Sequence, residues 1–503
     1  KKEPRYEKQV ERLEKKEERK KENIEKFGKP YHPVTGFFGR LLMSLRTVST
    51  TYALTDGMVL PGFTEEAQIG GLNSRTIGDA NMRGFVAGSQ QRDLFGRNTG
   101  FEFAPHVANQ GWIVDTSSLN AQHTVMHAQN IGVRASLEPF KDLKVDITMT
   151  RNFMDNSSEF YRFNDSIQSF ESQSRFRTTN LTYTTISIRS AFETLDQSYR
   201  SATFDAMRAA RVEVSELLAA GHPESFIDSG GFYNGYGAAQ QDVIVGAFLA
   251  TFKGQGINES SVNPLRSIPL PNWQISYNGL SKFESMKKYV QNFTLRHGYM
   301  STVTISGMQT NLNATQDEDG FLTARDINNN FIPMQQIQNI TIAERFSPLV
   351  GFDATWKIKG NGLITKFEYN QDRAASLSLA NNQVTEMLGT EIVVGMGYKF
   401  SNVKLPIQVQ GAPLKPSDLN VRIDLSIRDN LTVIRKIVEN TNQATAGQRV
   451  FSIRSSADYL LNQNFTVSLY FDQMLTDPKV AISYPTGNTA AGVRLRFNLG
   501  GLQ

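Results

Sequence analysis

Beyond residue 36 the chain alternates between apolar and polar positions with period two, which predicts strands rather than helices. Val350, Phe352, Ala354, Trp356 and Ile358 alternate with Gly351, Asp353, Thr355 and Lys357. A Gly360-Asn361-Gly362 turn follows, a hairpin signal. Leu363, Thr365, Phe367 and Tyr369 then oppose Ile364, Lys366, Glu368 and Asn370. Thr390, Ile392, Val394, Met396, Tyr398 and Phe400 alternate with Gly389, Glu391, Val393, Gly395, Gly397 and Lys399. Leu419 to Ile427 repeats the pattern against Asn420, Arg422, Asp424, Ser426 and Arg428. The last segment sets Ala491, Val493, Leu495, Phe497 and Leu499 against Gly492, Arg494, Arg496 and Asn498.

These segments run about 9–12 residues, against about 5–6 in soluble sheets, and a tilted strand needs about 9–11 to cross a bilayer. The expected fold class is all-β, a transmembrane antiparallel β-barrel with small helical insertions. Asp353, Lys357, Glu391, Lys399, Arg422, Asp424, Arg428, Arg494 and Arg496 are expected to face a wet lumen, where their mixed signs predict salt-bridge ladders. Phe352, Trp356, Phe367, Tyr369, Tyr398, Phe400 and Phe497 are expected to face lipid or form an aromatic girdle. The pattern gives about sixteen strand candidates, within the range of known barrels. Links at 402–417, 441–447 and 475–488 read as long, those near 429–430 and 461–463 as short. If the C-terminus is periplasmic, the long ones face outward.

Several stretches do not read as wall. Residues 1–29 form a charged connector, helical over 5–27, with Glu and Lys at i,i+4 spacing. The remainder, 30–503, is read as barrel carrying loop, plug or cap insertions near 55–126 and 193–262. Residues 204–220 predict an amphipathic helix with Met207, Ala210, Val214, Leu217 and Leu218 on one stripe, stopped by Gly221 and Pro223. Residues 240–252 predict a second, buried helix.

Composition narrows the function. Of 503 residues, 39% are apolar and none is cysteine; this removes disulfide scaffolds, thiolate metal sites and cysteine nucleophiles. Mean hydropathy is -0.36, and the longest apolar run, Val243–Ala250, is too short for a spanning helix. Of 53 Lys/Arg and 49 Asp/Glu, 12 and 8 fall in residues 1–30, leaving 41 of each in the rest. The body therefore offers no broad basic field for nucleic acid. The chain opens Lys1-Lys2-Glu3, which reads as an internal or C-terminal piece of a longer protein.

No catalytic or cofactor chemistry stands out. His123 and His127 are four apart, the spacing that joins two ligands on a helix, but Thr124 stands where a zinc-protease motif needs Glu. Asp326-Ile327-Asn328-Asn329-Asn330 begins like a calcium loop, yet Phe331 replaces the required Gly and Ile337 the bidentate Glu; a polar turn is expected. Nucleophile-elbow and phosphate-loop motifs are absent, so neither an enzyme nor a cofactor is expected. Trp273 fits either a membrane-interface anchor or a core position.

Five segments carry a resemblance: Ser44–Phe63 (SLRTVSTTYALTDGMVLPGF), Glu138–Ile147 (EPFKDLKVDI), Phe204–Ala219 (FDAMRAARVEVSELLA), Ile268–Phe283 (IPLPNWQISYNGLSKF) and Thr385–Phe400 (TEMLGTEIVVGMGYKF). From about residue 30 to the end, the chain resembles the C-terminal part of the SprA/Sov family. These are the giant outer-membrane translocons of the type 9 secretion system of Bacteroidota. The resemblance implies part of a single-chain barrel of about 36 strands, of which about sixteen strands would be roughly half. It implies a passive conduit in the Gram-negative outer membrane that passes folded, secreted cargo proteins. It also implies a lateral opening used by a PorV-type shuttle barrel, a periplasmic plug protein and an external cap, with outer-membrane lipid around the wall. A plugged outer-membrane uptake receptor barrel is the alternative, with 55–126 as its plug. Many outer-membrane barrels end on an aromatic residue; this chain ends Gly500-Gly501-Leu502-Gln503.

Overall fold

A computed structural model describes residues 43–87, 101–193, 195–227, 230–358, 362–404, 408–409, 412–413, 416–462, 465–480 and 483–497. The predicted connector 1–29, Gly360 and Asn361 of the predicted turn, and Asn498 and Leu499 of the last segment lie outside these residues.

The strands, in chain order, are β1 Leu45–Val59, β2 His123–Phe140, β3 Leu143–Asn164, β4 Ser169–Thr184, β5 Asn272–Tyr277, β6 Val290–Thr310, β7 Gln335–Gln336, β8 Asn339–Trp356, β9 Leu363–Ser378, β10 Gln383–Val403, β11 Gln408–Val409, β12 Ala412–Pro413, β13 Ser417–Lys436, β14 Thr441–Asn462, β15 Phe465–Pro478 and β16 Thr486–Phe497. The fold is predominantly antiparallel β. One sheet runs β1-β2-β3-β4-β6-β8-β9-β10-β13-β14-β15-β16, each strand beside its neighbour in sequence apart from short insertions. The short β5 fits between β3 and β6, β7 lies on β6, and β11 and β12 form a separate ladder. Among the described residues β1 and β16 do not pair with each other, so the sheet has two edges.

Most strands exceed the predicted 9–12 residues: β3 and β14 have 22, β6 and β10 have 21. At about 3.3 Å per residue such a strand is ~70 Å long. The predicted break near 429–430 is not a turn. Strand β13 continues to Lys436, and Asp429 pairs with Arg449 across the ladder at 3.2 Å. The hairpin falls at 437–440, and the predicted link 441–447 is part of β14. Strands β10 and β14 end at the same side of the sheet, Val403 against Ser417 and Leu419 against Tyr459, so the long link predicted after the first and the short one predicted after the second do not sort by side. Upstream, segment 185–271 leaves from mid-sheet, between Thr184 and Asn272, beside Thr150 and Thr148 of β3, while 60–122 and 311–338 leave from one end and the 141–142 turn lies at the other. We call the first the insertion end and the second the turn end.

The ladder register carries two faces across the whole sheet. One row reads Val350–Tyr369–Ile392–Ile427–Phe451–Leu475, the next Phe352–Phe367–Val394–Leu425–Ile453. A third reads Trp356–Leu363–Tyr398–Val421–Ala457–Leu469–Val493. The opposite face reads Asp353–Lys366–Gly395–Asp424–Arg454–Asp472. The ladder skips between Phe346 and Val350. Pro348, which has no N–H to give, sits in that irregularity. Gly298 faces it, with room for a Cβ only 2.7 Å from the Ser347 carbonyl oxygen.

Two helical layers cover the half of the sheet nearer the insertion end. Helix α1 Ala80–Val86 and helix α2 Phe103–Asn109 pack with Trp112 and Ile113 on Tyr161. Helix α3 Ala202–Ala219 and helix α4 Gln241–Phe252 match the predicted helices within two residues at each end. Ser201 caps the first by accepting from Phe204 N–H, and Gln240 caps the second by accepting from Val243 N–H. Phe204, Met207 and Val214 of α3 are fully buried, whereas Leu217 is exposed. Gly246 lets α4 approach, since a Cβ there would meet Val214 Cγ1 at 2.7 Å. The main core joins these helices to Leu181, Val303, Ile305, Ile340, Ile342, Leu377 and Val384, which share the parity of the apolar rows.

Candidate functional site

Register separates the sequence-predicted residues cleanly. Phe352, Trp356, Phe367, Tyr369, Tyr398, Phe400 and Phe497 lie on one face of the sheet. Asp353, Glu391, Lys399, Arg422, Asp424, Arg428, Arg494 and Arg496 lie on the other. Lys357 belongs to neither ladder; it follows β8, and its Nζ donates to the Lys287 carbonyl at 2.7 Å.

The polar face is laced by ion pairs of both signs. Arg296 Nε lies 2.7 Å from Asp353 Oδ2, and its Nη2 2.8 Å from Glu368 Oε1. Lys366 reaches Glu368 at 3.0 Å, Arg428 reaches Asp372 at 3.3 Å, and Lys399 reaches Asp418 at 2.7 Å. Arg422 pairs with Asp424 at 2.7 Å, and Arg494 lies 5.5 Å from the centre of the Tyr470 ring. Arg296, Lys366, Glu368 and Asp372 were not among the predicted residues. Lys366 and Glu368 carried the same signal, alternation with Phe367 and Tyr369. Such partly exposed pairs contribute little stability each; the cations Arg296, Lys366, Lys399, Arg422 and Arg428 are matched by Asp353, Glu368, Asp372, Asp418 and Asp424.

The apolar face has two zones. Towards the turn end it is open: Ile392 is 42% exposed, Val394 39%, Phe471 40% and Leu495 63%. From Ile392 to Phe400 this zone is nine residues long, about 30 Å along the strand. Towards the insertion end the same face is closed by α3 and α4. Between the zones runs a buried ionic line. Glu386 bridges Arg373 (Nε to Oε1, 2.8 Å) and Arg435 (Nη2 to Oε2, 2.8 Å). The two guanidiniums also donate to the Ser190 and Tyr199 carbonyls, which fixes the chain entering α3. Beside them Tyr299 donates to Glu344 at 2.6 Å. Trp273 lies at this level, half-buried, with its ring centre 4.7 Å from that of Tyr299.

The histidines do not converge. His123 and His127 lie on strand β2, not on a helix, and each has its own carboxylate: His123 Nδ1 is 2.9 Å from Glu159 Oε1, and His127 Nδ1 is 2.6 Å from Asp56 Oδ1. The Asp326 segment is a turn, its Oδ1 accepting from the Asn328 and Asn330 N–H groups at 2.8 Å. Among the described residues no three His, Asp or Glu side chains gather as a metal-binding group. In the insertions, burial opposes the charge of Asp79, but the Met82 N–H and His106 outweigh it and hold the carboxyl below its usual range. Burial lowers the Lys253 ammonium to about 8; it lies 3.4 Å from the Tyr183 hydroxyl.

Comparison with known proteins gave no matching family model and no matching curated protein.

Proposed function

We propose that the chain is a section of outer-membrane β-barrel wall, and that the barrel is a protein-conducting translocon of the type 9 secretion system. One observation carries the membrane reading: an exposed apolar zone runs across the sheet opposite a face of mixed charge, and among the described residues no second sheet covers it. An open apolar surface of this extent on a water-soluble chain would aggregate. In a bilayer, at the 35–45° tilt of membrane barrels, about 30 Å of strand rises roughly 20–25 Å and fits the apolar band of such a wall.

The two sheet edges bear on the size of the barrel. A strand edge in hydrocarbon leaves N–H and C=O groups unpaired at several kcal/mol each. The reading therefore requires further strands beside β1 and β16. Twelve wall strands would be about a third of the ~36 in the largest barrels, rather than the half expected from sixteen. The five family-like segments support the translocon reading, and with it folded cargo, a PorV-type shuttle barrel and a periplasmic plug protein as partners. The described part of the 60–122 insertion packs on the apolar-face side, on Met58, Tyr161 and Phe170. A receptor plug would instead fill the polar face, so the uptake-receptor reading is less well supported.

Extraction tests the membrane reading: retention in membranes through carbonate and high salt, with release by detergent, is expected. Release without detergent refutes it. Planar-bilayer recordings of the full barrel test the translocon reading, which expects a large conductance after partner removal; a small, plugged conductance refutes it.

A further inference from the structure

The two borders of the open apolar zone differ in chemistry. At the insertion end the border cations share carboxylates: Glu386 holds Arg373 and Arg435, and Asp429 holds Arg449 and Lys479. At the turn end they do not. There the 141–142 turn, the segment 278–289 and the end of β8 form one continuous shelf. Asn278 N–H donates to the Asp142 carbonyl at 3.0 Å, and Lys357 N–H to the Tyr289 carbonyl at 2.8 Å. Lys282 is held by Asp142 at 2.6 Å. Lys141, Lys287 and Lys288 are exposed, and among the described residues none has a carboxylate partner. Phe140, Phe283 and Tyr289 stand between them, 57%, 54% and 59% exposed. Phe140 packs edge-on to Tyr277 at 5.9 Å, and Tyr277 pairs with Leu143 and Leu295 on the apolar face. The shelf is thus continuous with the zone that would contact acyl chains.

We propose that this shelf binds the headgroups of anionic phospholipids, its aromatics seated at the headgroup level and its free ammonium groups on the phosphates. The proposal rests on the membrane reading above and adds the leaflet: the turn end faces the phospholipid leaflet, and the insertion end the other. Unpaired lysines beside exposed aromatic rings are the chemistry of an interface with anionic lipid. At the opposite border each cation named above sits on a carboxylate.

The test uses the detergent-solubilised full chain and native mass spectrometry with phosphatidylglycerol, phosphatidylcholine and lipid A as probes. The wild type is expected to retain phosphatidylglycerol in preference to phosphatidylcholine. The variant K141Q/K287Q/K288Q should lose that preference by about fivefold per lysine removed. K436Q, which removes an exposed ammonium at the opposite end of the sheet, should keep the preference and serves as the control for loss of charge outside the shelf. Equal retention of the two phospholipids by the wild type, or an unchanged preference in the triple variant, overturns the proposal. Lysine-dependent retention of lipid A over phosphatidylglycerol also overturns it, by assigning the shelf to the other leaflet. A chain that leaves membranes without detergent fails the membrane reading itself, a result separable from either lipid outcome.

Discussion

Arg435 and Glu386 form an ion pair with both side chains at 2% exposure or less, joined diagonally across the β10–β13 ladder. Glu386 also serves Arg373, so one carboxylate compensates two buried guanidiniums. Glu386→Gln would strand both cations and is expected to cost about 3–5 kcal/mol. Replacing all three residues by apolar side chains of similar volume should cost less than that single change. Urea titration of the lipid-reconstituted protein measures both; a Glu386→Gln loss below about 1 kcal/mol would contradict the assignment.

Val393 and Val394 are neighbours in sequence on opposite faces. Val394→Arg places a charge in the open apolar zone and should cost about 2–4 kcal/mol near mid-bilayer. Val393→Arg joins a face already laced with charge and should cost far less. Equal penalties for the two, measured by folding into lipid vesicles, would mean that the faces do not see different solvents.

Lys253 ends α4 with its ammonium buried. Its folded pKa, about 8, is below the ordinary lysine value of 10.5. Between those values the unfolded chain holds a proton that the folded chain has released, so stability rises with pH. The burial penalty is fully present below pH 8. The slope in this window should be at most about 1.4 kcal/mol per pH unit and should vanish in Lys253→Met. Thermal midpoints from pH 7 to 10.5 test this, and an identical slope in the variant counts against it.

Gly298 faces the irregularity at Pro348. Gly298→Ala pushes a methyl into the Ser347 carbonyl, and the backbone there must shift, at a cost of about 1–3 kcal/mol. A neutral effect on the urea midpoint would show that the close approach has slack.

The alternation was readable where one face meets open space. Leu419 to Ile427 shows it without exception and Ile392 to Phe400 with Val393 as its one departure, and so the two faces could be assigned residue by residue. It failed further along the same strands for a physical reason. Arg373, Glu386 and Arg435 occupy apolar-face positions, because the chain entering α3 covers them and they satisfy each other. Charges at those positions break the period, which hid the true lengths of β9, β10 and β13. Asp429-Asn430 resembled a turn because cross-strand partners such as Arg449 cannot be seen in a local window. His123 and His127 were read at helical spacing, since nothing in their neighbourhood announces the β1 and β3 partners. The helices 202–219 and 241–252 were legible because their buried stripe and apolar run are local properties.

The longest strands run without interruption from the open zone into the half covered by α3 and α4. That covered half is therefore no hinged lid. It is a stiff overhang that moves only with the ladder beneath it, because tilting it would break rows of backbone hydrogen bonds at once. Any widening of the structure must then occur as sliding or parting at the seams beside β1 and β16, where among the described residues no neighbouring strand of this sheet resists it.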